Sequence, residues 1–135
     1  QCMGACLMMR PVERFDERFF LYCEDTELCH RLRKHGQILF VRAAPFGHAL
    51  GASSSSTRWQ AVARYNRGKE LYFKITSGSL SALVCWALNR CGALLRLVTG
   101  LATSWHPRGR EKASLFARVL SAPLRGPSLP SDSVA

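Results

Sequence analysis

The segment 80–102 (LSALVCWALNRCGALLRLVTGLA) constrains this chain most. It is dominated by Leu, Val, Ala and Trp, with no Asp or Glu and only Arg90 and Arg96 charged. A run of this length is about what a helix needs to cross a bilayer, roughly 20 residues. An arginine in mid-span costs about 2.5 kcal/mol or more. The preferred reading is therefore a helix that lies on a membrane or packs on the domain, ahead of a true span.

Charge points the same way. The chain has 135 residues and a formal net charge of +10. Residues 61–135 hold eleven Lys/Arg against three Asp/Glu, a net +8, whereas residues 1–60 hold eight against six, a net +2. An excess at one end suggests a polyanionic neighbour there, such as an anionic membrane surface, nucleic acid or an anionic substrate, the bland alternative being a solvated basic tail. Arg58, Arg64, Arg67, Lys69 and Lys74, interleaved with Trp59, Tyr65 and Tyr72, could also face nucleic acid. No recognised nucleic-acid motif is present, so that reading ranks last. The six cysteines form no C-x-x-C pair. Reduced, mostly apolar-packing cysteines in a cytoplasmic protein are expected, rather than a zinc ribbon or a secreted disulfide framework.

Local signals divide the rest. Residues 4–10 (GACLMMR) and 37–41 (QILFV) read as buried strands. Residues 25–36 (DTELCHRLRKHG) read as a helix capped by Asp25 or Thr26, basic in its last turns and stopped by Gly36. Residues 58–75 read as a second helix and 80–102 as a third. Residues 51–56 (GASSSS) read as a loop, and the Pro/Ser-rich stretch from Pro123 as a disordered tail.

The candidate chemistry sits at Glu24-Asp25, which follow an aromatic loop and begin a helix. A carboxylate so placed faces free backbone N–H groups and can accept a proton from an attacking hydroxyl. The bland alternative is that Asp25 is only an N-cap. His48, beyond the second expected strand, could bind a metal or a phosphate, or simply be a satisfied loop histidine.

Several ordered motifs together carry a resemblance. Gly4-Ala5-Cys6-Leu7-Met8-Met9-Arg10, Phe15-Asp16-Glu17-Arg18-Phe19-Phe20-Leu21-Tyr22, Glu24-Asp25-Thr26-Glu27-Leu28-Cys29-His30-Arg31-Leu32 and Gly36 follow in that order. They continue through Ile38 to Val41, a proline, His48, a Gly/Ser loop and Tyr72-Phe73-Lys74. This series resembles the C-terminal half of family 2 glycosyltransferases, the bacterial rhamnosyltransferase-like members being nearest in pattern. The likeness runs from Gly4 to about Gly78.

The resemblance implies an α/β fold. This would be a partial GT-A domain around a mostly parallel sheet, lacking its N-terminal nucleotide-binding half and followed by C-terminal helices. The implied organisation is an acceptor-side half over 1–78, a helical and possibly membrane-associated region over 79–122, and a disordered tail over 123–135. The implied activity is inverting transfer of a sugar from a nucleotide diphosphate sugar to a glycan or lipid-linked acceptor, in cell-envelope or exopolysaccharide synthesis at the inner face of the membrane. Asp25 would be the general base, Glu24 and Tyr22 would shape the acceptor side, and Gly4 and Ala5 would lie near the donor sugar. His48 would join the metal or diphosphate site. A divalent metal, Mg or Mn, is implied for the complete enzyme.

Two departures stand out. Only Pro11-Val12-Glu13-Arg14 separate Arg10 from Phe15, a shorter connection than the family's, and the sequence contains no Asp-x-Asp. The chain is therefore expected to be a fragment, inactive alone. The alternative is a non-enzymatic basic module for a membrane surface or a protein partner.

Overall fold

The computed structural model describes residues 4–43, 47 and 58–122. His48, the 51–56 loop and the 123–135 tail lie outside the described residues.

Among the described residues three α-helices carry the architecture: α1 (Glu24–Leu32), α2 (Arg58–Ala102) and α3 (Pro107–Ser121), after a 3-10 turn at Gly4–Cys6. α2 is two rods. Gly78 sits at φ 87°, ψ 177°, a conformation open essentially only to glycine. It separates a first limb, 58–77, from a second limb, 79–102. The limbs fold back on one another, because Asn89 reaches residues on both sides of Lys69. Its Nδ2 donates to Glu70 Oε1 at 2.8 Å and to the Asn66 carbonyl at 3.3 Å, and its Oδ1 accepts from Lys69 Nζ at 2.8 Å. A part-buried amide with three partners on the first limb fixes the register of the two limbs, since sliding would strand polar groups.

α3 returns along the second limb. The link is tight: His106 Nδ1 accepts from Arg108 N at 3.3 Å and Pro107 opens the helix. Small residues form the seam. A Cβ on Gly100 would sit 2.7 Å from Ala113 N, and one on Gly109 would meet the Thr103 carbonyl. Ala93, Gly100, Gly109 and Ala113 are buried there. Arg90 Nη1 donates to the Leu120 carbonyl at 2.7 Å, satisfying an acceptor in the last turn of α3.

The sheet implied by the resemblance is corrected: the regular structure among the described residues is all helical and contains no strand. A partial GT-A α/β fold is not what this chain forms. After the Gly4–Cys6 turn, residues 7–10 have no regular structure, and Met8 is 98% exposed. Residues 37–41 are likewise irregular, with Phe40 88% exposed. The physical reason is that a strand is stabilised by its neighbours, through ladder hydrogen bonds and burial of its faces. Neither run has a neighbouring strand among the described residues.

The helix expected over 25–36 is present but shifted. Cys23 is its N-cap and makes no side-chain cap bond, while Asp25 and Thr26 lie inside the first turn. It ends before Gly36 because i→i+3 bonds tighten the last turn, Lys34 N to Arg31 O at 3.0 Å and His35 N to Leu32 O at 2.9 Å.

Candidate functional site

The site is an elbow that delivers the chain into α1. Tyr22 and Cys23 are consecutive left-handed residues, φ 72° and 68°, and neither is glycine. Such conformations cost of order 1–3 kcal/mol each and persist only when surroundings enforce them. The enforcing surface is the first limb of α2 at Gly68. A Cβ there would stand 2.6 Å from the Tyr22 carbonyl oxygen and 3.1 Å from Cys23 Sγ. Aromatic contacts flank this approach: Tyr22 edge-on to Tyr65 at 6.0 Å, His30 edge-on to Tyr72 at 6.0 Å, and the Arg64 guanidinium 5.1 Å from the Phe20 ring. Leu28, Cys29, Cys23 and Phe19 form the small core beneath.

The elbow aims Asp25 back at the start of the described chain. Asp25 Oδ2 accepts from Gly4 N at 3.1 Å, and Oδ1 accepts from Thr26 N at 2.7 Å and from Thr26 Oγ1 at 3.3 Å. Phe15 Cζ closes over Gly4, 4.0 Å from where a Cβ would be. Glu24 Oε2 is shielded from solvent and has no hydrogen-bond partner among the described residues. An unmatched buried polar atom costs about 1–3 kcal/mol and, like the backbone strain, is concentrated at this elbow.

A clamp stabilises the other side of α1. The Arg31 guanidinium grips Glu27 with both arms, at 2.7 and 2.8 Å, donates to the Arg14 carbonyl at 2.6 Å, and pairs with Glu13. Glu13 also meets His35 Nε2 at 3.1 Å. The His35 and then the Arg31 contacts hold the Glu13 carboxyl below the usual carboxylate range. The short 11–14 connection is thereby fastened to α1.

Of the residues implied for the site, Gly4, Tyr22, Glu24 and Asp25 come together at the elbow. Ala5 belongs to the Gly4–Cys6 turn, next in chain to Gly4. His48 lies outside the described residues. The Tyr22–Cys23 conformation and Gly68 were not identified from sequence. Gly68 carried a readable signal, since an isolated glycine within a helical pattern often marks a close approach.

Among the described residues no three His, Cys, Asp or Glu side chains are grouped to hold a metal ion.

Cys6, Cys23, Cys85 and Cys91 form no disulfide among the described residues. Burial, followed by the charges of Asp25 and Glu24, pushes the Cys23 thiol up to about 11. At pH 8 only roughly a thousandth of it would then be thiolate. Native-state alkylation is therefore expected to modify exposed Cys6 and Cys91, and to reach Cys23 only after unfolding. Mass mapping of the labelled peptides checks this, and labelling of Cys23 alongside Cys6 would show the elbow to be open.

Comparison of the chain with protein-family models, with curated proteins and with solved structures gives no match in any of the three.

Proposed function

We propose that this chain supplies the general base, Asp25, of an inverting glycosyltransferase. The observation that carries the reading is the 3.1 Å contact between Gly4 N and Asp25 Oδ2, which joins two of the ordered motifs across 21 residues of sequence. The base and the small residue implied for the donor side thus share one spot. The strained turn and the unmatched Glu24 oxygen beside it support the same location.

The chemistry follows from the carboxylate. The acceptor hydroxyl donates its proton to Asp25 as its oxygen attacks the anomeric carbon. The new carbon–oxygen bond forms as the bond to the nucleotide diphosphate breaks, and the electron pair leaves with the diphosphate. Each carboxylate oxygen has two lone pairs, so the N–H bonds from Gly4 and Thr26 orient Asp25 and still leave it able to accept. Glu24 and Tyr22 shape the acceptor side. The sequence contains no Asp-x-Asp, and these 135 residues alone are expected to transfer no sugar.

The test is Asp25→Asn in the native polypeptide that carries this sequence. Asparagine keeps the shape and one acceptor oxygen but cannot take the proton. Transfer is expected to fall by about 100-fold or more, within the usual range for loss of a general base, while nucleotide-sugar binding survives. Undiminished transfer would remove Asp25 from the mechanism.

A further inference from the structure

The second limb of α2 has one face that nothing in the described chain covers. Leu80, Leu88 and Leu95 are 75%, 68% and 65% exposed, and Val84, Leu94 and Val98 are also exposed. At 100° per residue these six fall within an arc of about 120°, running the length of a rod roughly 35 Å long. Arg90 and Arg96 do not interrupt this stripe. Both turn towards α3, Arg90 to the Leu120 carbonyl at 2.7 Å and Arg96 over the Phe116 ring at 5.6 Å. The face is therefore free of charge, although the helix as a whole is not.

We propose that this stripe docks on an anionic lipid bilayer, with the second limb lying in the membrane plane. Length and composition alone would also let α2 cross a membrane. The packing argues against that. The first limb runs beside the second through Asn89, Lys69 and Glu70, and α3 runs beside it through the glycine seam. A span would drag their charged residues into hydrocarbon, among them Arg67, Lys69, Glu70, Arg110 and Lys112. Lying flat, the stripe enters the acyl boundary and both neighbours stay on the aqueous side. Charge complementarity identifies the occupant as anionic: residues 61–135 carry a net +8, and Arg108, Arg110, Lys112 and Arg118 on α3 are exposed. Trp105, exposed in the turn that ends the limb, suits the headgroup level.

The inference does not depend on Asp25. The full chain would be sedimented with vesicles of phosphatidylcholine mixed with phosphatidylglycerol, and with vesicles of phosphatidylcholine alone. Binding is expected to the mixed vesicles and to weaken as salt rises. Leu88→Ser/Leu95→Ser changes only exposed residues, so it should keep the wild-type circular dichroism while losing about tenfold or more in partitioning. Asp25→Asn should partition as wild type, which keeps this test separate from the catalytic one. Oriented circular dichroism on supported bilayers should report helices parallel to the surface. Three results would overturn the proposal: binding indifferent to lipid charge, helices parallel to the bilayer normal, or a stripe-dependent dimer that ignores vesicles.

Discussion

Replacing Arg31 by methionine is expected to destabilise the chain by about 3–5 kcal/mol, the range for a buried charge that loses its partner. Glu27 is the reason. It is only 3% exposed, and both its carboxylate oxygens are matched by the guanidinium of Arg31, one turn on. Without that fork the carboxylate must be buried unpaired or α1 must open to admit water. The same substitution frees the Arg14 carbonyl and half of the Glu13 contact, so the 11–14 connection detaches as well. Lysine is expected to recover only part of the loss, because a single ammonium cannot reproduce a two-armed grip. Urea unfolding of Arg31→Met, Glu27→Gln and the double variant gives the coupling directly. The double variant should be markedly more stable than the sum of the singles. Strict additivity would mean that Arg31 acts through packing alone.

Gly68→Ala carries the second large effect, an expected loss of about 1–3 kcal/mol from overpacking. The new methyl would meet backbone, the Tyr22 carbonyl oxygen at 2.6 Å, and Cys23 on both its Sγ and Cβ. Backbone cannot step aside as a side-chain tip can, and these two residues already hold left-handed conformations. The elbow should lift from the first limb, exposing the α1 amides to hydrogen exchange and Cys23 to alkylation while the α2–α3 pairing persists. Gly92→Ala is the matched control. Its methyl would meet only the Arg96 guanidinium tip, at 3.0 Å, and alanine is the better helix former by roughly 0.8–1.0 kcal/mol. An equal gain at both positions would mean that helix propensity decides the outcome at Gly68 and the approach of Tyr22 does not.

The helices were legible because their information is local. Spacing and caps place them over 25–36, 58–75 and 80–102, against Glu24–Leu32 and the two limbs of α2. The polar stretch around Gly78 between the last two marks the break, though not that the chain doubles back there. α3 lies inside the helical region expected over 79–122, although its own start, readable at His106-Pro107, was not marked. The strands failed for a non-local reason: a short apolar run has the composition of a buried strand whether or not a neighbour exists to pair with it. Arg90 and Arg96 were read as interruptions because they were counted along the sequence and not around the helix. Their angular positions set them off the apolar arc, where α3 receives them. The site was half legible. Glu24-Asp25 at a helix start stood out, whereas nothing in Tyr22 or Cys23 signals a left-handed backbone.

The central claim, that Asp25 accepts the proton in a single inverting displacement, is tested most directly by the anomeric configuration of the product. The native polypeptide carrying this sequence would be given a nucleotide diphosphate sugar and a glycan or lipid-linked acceptor. Nuclear magnetic resonance of the first-formed glycoside would then be compared with the donor. A single base on the acceptor side predicts inversion, lost with Asp25→Asn. Retention of configuration, or no sugar transfer by the native polypeptide, would contradict the account.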